Sequence, residues 1–206
     1  MLRRFQRGDT LVEVIFAFAI MSAVVVGSMT IMNQGVQTSQ RSLEMTATRQ
    51  IMDGQADALR FLHDAYVAHF QTGTAVYDPA TPAGQWQRIA ASLPENGSDR
   101  PATPIDTPVA CANAAPTGSF IIDPTNAKFV TGKFEKAVTS PQLTFSGGSL
   151  SKAQGVWIEG VRSTKSGDAV KDRTRFIDFH IRTCWEAPGA GAPATLGTIV
   201  RLYEPR

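Results

Sequence analysis

The side chains in this 206-residue chain that could do chemistry are a lone carboxylate in an apolar run, two cysteines, three histidines and scattered hydroxyls. The carboxylate is Glu13, within "RRFQRGDTLVEVIFAFAIMSAVVVG" at residues 3–27. At the centre of a membrane helix such a charge costs roughly 2.5–3.5 kcal/mol, so it normally has a partner. Near a helix end it can instead snorkel into the headgroups and do nothing. Cys111 and Cys184 form no CxxC pair and neighbour no histidine cluster, which argues against zinc. One disulfide or two buried free thiols both remain open. His63, with Asp64 beside it, and His69 do not stand at i, i+4, so they read as surface histidines rather than metal ligands. "GGSL" at 147–150 lacks a phosphate-binding pattern, and no nucleophile–histidine–acid set or P-loop emerges. The chain is therefore expected not to be an enzyme and to hold no metal or cofactor.

The totals are those of a globular chain, with 43% hydrophobic and 18% charged residues, and the length suffices for a real core. The net charge of +2 sits at the front: residues 1–8 hold Arg3, Arg4 and Arg7 and no acid, so the remainder is slightly acidic. Nothing in that balance favours nucleic acid as the main partner.

From Leu11 to Met32 the only ionisable residue is Glu13. At 1.5 Å per residue this run makes about 33 Å of helix, enough for a bilayer core of about 30 Å. Three arginines precede it and neutral "NQGVQTSQ" follows, so the positive-inside rule puts the N-terminus in the cytoplasm and the rest outside. Both cysteines then face an oxidising compartment, which agrees with a disulfide. Arg3-Arg4 could begin a twin-arginine export signal, but no small-residue cleavage site follows the apolar run.

"RGDTLVEVIFAFAIM" resembles the leader and N-terminal motif of type IV pilins and pseudopilins. In that family a short basic leader ends in Gly, a prepilin peptidase cuts after it, and a glutamate stands fifth in the mature chain. The resemblance covers about 25 residues and implies cleavage between Gly8 and Asp9, with Glu13 as the fifth mature residue. Cleavage frees an α-amine that is largely cationic at neutral pH. A carboxylate one helical turn on can meet that amine, in the chain or on a neighbour, and such a pair fixes register in low dielectric. The family implies the intermolecular pairing, N-methylation of the new terminus, a surface filament of pilin subunits, and often a disulfide in the C-terminal part of the head. Its first mature residue is usually Phe or another apolar residue; here it is Asp9, whose carboxylate competes with Glu13 for the amine. The rival reading is an uncleaved, membrane-anchored external binding module. A pseudopilin of a secretion or DNA-uptake machine shares the processing and differs in its machine.

Residues 33–70 contain no proline, and Val36, Leu43, Ala47, Ile51, Ala58, Leu62 and Tyr66 recur in steps of four and seven. They make one stripe of an amphipathic helix continuing the span, with Arg41, Glu44, Asp53, Asp57 and Arg60 mostly on other faces. Gly27, Gly35 and Gly54 are its weak points.

The chain therefore divides into a leader (1–8), a transmembrane and assembly helix (9–32), an amphipathic helix (33–71), a Pro/Ala/Thr-rich loop region (72–118) and a β-sheet head (119–206). One short helix is expected near Gln85–Ser92. Asn96-Gly97-Ser98 fits a glycosylation sequon but reads better as a turn. Strands are expected at 119–123, 128–132, 142–146, 155–164, 173–185 and 197–204. In the fifth, Ile177, Phe179 and Ile181 alternate with Asp178, His180 and Arg182, giving an apolar face and a wet one. "RSTKSGDAVKDR" reads as a solvated hairpin loop. Arg162, Lys165, Lys171, Arg173 and Arg175 are the candidates for weak DNA contact but lack interleaved aromatics. A Cys111–Cys184 bond would close a long loop and stabilise by roughly 4 kcal/mol. The expected fold is α+β, a membrane-spanning N-terminal helix packed by its outer half on an antiparallel sheet.

Overall fold

The computed structural model describes residues 9–71, 78–93, 111, 114–162, 176–186 and 192–205. The leader positions Arg3, Arg4, Arg7 and Gly8, the turn expected at 96–98, the 163–175 loop and its basic residues Lys165, Lys171, Arg173 and Arg175 lie outside them. The fold is an α+β mixture. Helix α1 runs Asp9–Gln71, a single α-helical element through Gly27, Gly35 and Gly54. Helix α2 is Pro82–Ser92, followed by β1 (Ile121–Asp123), β2 (Lys128–Val130), β3 (Phe134–Glu135), β4 (Gln142–Ser146), β5 (Ser149–Gln154), β6 (Val156–Arg162), β7 (Phe176–Trp185) and β8 (Ala194–Tyr203). The chain divides after Leu43, with Glu44–Arg206 forming one compact unit.

The strands make three small sheets where one antiparallel sheet was expected. β1 and β2 pair alone, β3-β5-β4 is mixed with β3 parallel to β5, and β6-β7-β8 is antiparallel throughout. Short strands and a glycine turn interrupt the sheet: Gly155, between β5 and β6, has positive φ. Gly155 sits in a close approach. A Cβ there would lie 2.4 Å from the Cys184 carbonyl oxygen and 2.5 Å from Ala137 Cβ, so only glycine lets β5 turn into β6 beside the end of β7.

The core joins Met52, Ala56, Leu59 and Leu62 of α1 to Trp86 and Ile89 of α2, to Phe120 just before β1, and to Ile122, Ile158, Ile177, Phe179, Ile181 and Val200 of the strands. Trp86 meets Phe179 edge-to-face at 5.6 Å. α2 is set by its own sequence: Thr81 caps it, accepting a hydrogen bond from the Gly84 N–H, and Pro82 occupies the first turn, where no N–H is needed.

The buried face of α1 is rotated from the expected stripe. Thr48, Met52, Gln55, Ala56, Leu59 and Leu62 are buried, whereas Ala47 is exposed and Ile51 and Ala58 are only half-buried. The reason is Gln55. Its Nε2 donates to the Ile122 carbonyl at 2.8 Å, and its Oε1 accepts from the Ile122 N–H at 2.9 Å. The side chain thus serves β1 as a neighbouring strand would, and a polar residue belongs in the middle of the interface. Glu44 is drawn in similarly, accepting from Trp185 Nε1 at 3.2 Å.

Candidate functional site

The first part of α1 is built like a helix for an apolar solvent. Every residue from Leu11 to Met32 is exposed, including Phe16, Phe18, Ile20, Met21 and Ile31. The four hydroxyl side chains between Leu11 and Thr38 are all satisfied within the helix. Ser22, Ser28, Thr30 and Thr38 donate to the carbonyls of Phe18, Val24, Val26 and Gln34 at 2.7–3.0 Å. That leaves no hydroxyl donor in this stretch unpaired, as a surface in lipid would require. This is the one helix among the described residues long and apolar enough to cross a membrane. Glu13 is exposed on it and makes no ion pair among the described residues. Asp9 is placed at the start of α1, and Gly8 lies outside the described residues.

The cysteines meet as one of the two open readings had it. Cys111 and Cys184 are joined by a disulfide, with Cα atoms 5.5 Å apart and both residues buried. It ties Cys111 to the end of β7.

The expected wet face of β7 is not wet. Glu159 of β6 stands opposite His180 of β7, and Trp157 opposite Arg182. Glu159, His180 and Arg182 are all buried. Trp157 Nε1 donates to Glu159 Oε1 at 2.7 Å, and Arg182 Nη1 lies 3.8 Å from the same oxygen. Burial and the neighbouring Arg182 charge push the His180 pKa down, against the opposing pull of Asp178 and Glu159. At the exposed edge, Asp178 takes both guanidinium arms of Arg201 at 2.7 and 2.8 Å, and that contact raises the arginine pKa. Arg201 also lies over the Phe176 ring at 3.9 Å. Alternation revealed which residues share this face but not that it is covered; Glu159 was not singled out in the sequence at all.

His63 is also not a surface histidine. Its ring stands edge-on to Trp86 at 4.9 Å, and its Nε2 is 2.8 Å from the Tyr203 carbonyl, so it ties α1 to α2 and the end of β8. Arg162, a candidate for DNA contact, donates to the Ala90 carbonyl. Asp123 organises the β1–β2 turn: its carboxylate accepts from Leu150 N, Thr125 N, Thr125 Oγ1 and Asn126 Nδ2 at 2.7–3.1 Å. Burial alone would raise its pKa, but these hydrogen bonds together outweigh it and the net shift is downward. Among the described residues no group of three or more His, Cys, Asp or Glu is placed to hold a metal. No protein-family model matches the chain, and neither a curated protein nor a solved structure matches it.

Proposed function

We propose that the chain is a structural subunit, major or minor, of a type IV pilus or pseudopilus, made as a single-pass membrane precursor. Prepilin peptidase removes residues 1–8 by cutting after Gly8, and the chain then polymerises through its N-terminal helix. The observation that carries the reading is the surface of α1 from Leu11 to Met32. It is apolar all round, its hydroxyls are self-satisfied, and it is broken by one carboxylate at the spacing the motif requires.

In the precursor this surface faces lipid, with the arginine-rich leader in the cytoplasm and the disulfide-bonded head outside. After cleavage the same surface packs against other copies. Glu13 supplies the charge that the α-amine of an incoming or neighbouring subunit seeks in low dielectric. Repetition of such a heterologous contact along an axis gives a filament rather than a closed ring. The head then faces outward.

The test is the N-terminus of the chain in membranes of cells that hold an active prepilin peptidase, read by intact mass. A mature chain starting at Asp9 is expected. A chain starting at Met1, while a control substrate is cut, overturns the reading and leaves an anchored external domain.

A further inference from the structure

Below the segment that follows Cys111, the head holds a cavity of about 450 Å³. One wall is residues 114–119, the other is the β2–β3 connection at Thr131, Gly132 and Lys133, and Ile121, Ala153 and Val156 form the floor. Phe134 and Trp157 close one end, edge-to-face at 5.5 Å. The indole of Trp157 is held in orientation by its hydrogen bond to Glu159. The size falls within the roughly 300–1,000 Å³ of small-molecule sites, and an apolar lining with few polar groups is their usual chemistry.

Two features make this more than a surface crease. The 114–119 wall begins three residues after Cys111, so the disulfide to Cys184 anchors it to the strong antiparallel sheet. A wall so anchored loses little freedom when something binds against it. Charge is also one-sided. Among the described lining residues Lys133 is the sole ionisable side chain, and it is exposed and in no ion pair among the described residues. Its neighbours Lys136 and Lys152 are instead neutralised by Glu186 and Glu135. The main chain of Lys133 is fixed by the Ala153 N–H, which donates to its carbonyl at 2.7 Å, so the ammonium has a defined base from which to reach the cavity mouth.

We infer that this cavity is a binding site for a small amphiphilic anion, an aromatic or branched aliphatic body carrying one carboxylate. The apolar body lies between the two walls against Trp157 and Phe134, and the carboxylate meets Lys133 at the mouth. A cationic ligand of the same shape meets only the lysine charge, and a neutral one gains no ion pair. The cavity lies wholly within the head, so its occupancy is independent of membrane insertion and filament assembly.

The experiment is calorimetric titration of the full-length, disulfide-bonded chain in zwitterionic lipid nanodiscs, with empty nanodiscs as the blank. The probes are phenylacetate, phenylacetamide and phenethylamine. Saturable binding is expected for phenylacetate and about two- to fivefold weaker binding for the other two, the scale of one exposed ion pair. Lys133→Gln should remove that preference without abolishing binding of the neutral probe. Thr131→Trp, at an exposed wall position, should fill the cavity and abolish binding of all three. Should Thr131→Trp misfold, Ala115→Trp fills the cavity from the opposite wall and serves the same purpose. No saturable phenylacetate binding to the wild type overturns the proposal. So does binding that survives the wall substitutions in a folded chain, or a preference for carboxylate unchanged in Lys133→Gln.

Discussion

Gln55 gives the sharpest test of how α1 holds the head. It is 1% exposed, and its amide makes two hydrogen bonds of 2.8 and 2.9 Å to the main chain of Ile122, itself fully buried. Gln55→Leu conserves much of the volume but leaves one N–H and one carbonyl of β1 without partners. A buried group left unsatisfied costs about 1–3 kcal/mol, so the pair brings about 2–6 kcal/mol before the surroundings relax. The difference in helix propensity between the two residues is only a small fraction of that. A loss of about 3 kcal/mol is therefore expected. Gln50→Leu, on an exposed turn of the same helix, should stay within about 0.5 kcal/mol. The assay is urea unfolding of the oxidised chain in detergent, followed by tryptophan fluorescence, because Trp86 and Trp185 both sit in buried contacts of α1 or its neighbours. Amide exchange at Ile122 reports the same event locally: its protection should collapse in the Leu variant. A Gln55→Leu chain as stable as the Gln50→Leu control, with Ile122 still protected, would refute the idea that a side chain stands in for a strand here.

Other perturbations follow from the same contacts. Replacing Cys111 and Cys184 together by serine should lower stability by about 4 kcal/mol, the chain-entropy value for a loop spanning a separation of 73 residues, read from the unfolding midpoint. Gly155→Ala should cost about 3 kcal/mol or more, since φ is +65° and the new methyl meets the Cys184 carbonyl; a change below 1 kcal/mol would contradict the close approach. His180 has a lowered pKa in the fold, so the unfolded chain takes its proton first. Stability should fall as pH drops through the ordinary histidine range, and His180→Gln should flatten that slope. Asp123, also lowered, contributes stability that is present above the ordinary carboxylate pKa and disappears as pH falls through its folded value; Asp123→Ala should be less stable at neutral pH and lack that acid limb.

Much of this architecture was legible because it rests on strong periodicity. The Leu11–Met32 run, the proline-free continuation to Gln71, α2 and the alternation in β7 are patterns that tertiary context had little reason to overturn. β5 was missed for a specific reason. Phe145 pairs with Leu150 while Thr144 pairs with Lys152, so Ser151 is an extra, bulged residue. Leu150 and Ala153 both face inward three positions apart, and the two-residue period that marks a strand is broken in "SLSKAQ". β3 is two residues long, too short to leave a pattern. The helix stripe was drawn from apolar residues alone and so could not see Thr48 and Gln55. Polar alternation identified the Asp178–His180–Arg182 face, yet alternation says only that residues share a side, not whether that side meets water. The cavity beside Lys133 had no signal in the sequence, because its walls are loops brought together by a disulfide and by glycine turns such as Gly132.

The measurement that bears most directly on the proposed role is the fate of Glu13→Ala beside the wild type in cells that assemble filaments. The filaments would be sheared from the surface and each fraction read by intact mass. The wild-type chain should appear among the sheared filaments starting at Asp9, while Glu13→Ala should be cut at the same bond yet stay in the membrane. A Glu13→Ala chain recovered in sheared filaments at the wild-type level, or a wild-type chain found only in membranes and starting at Met1, would contradict the account.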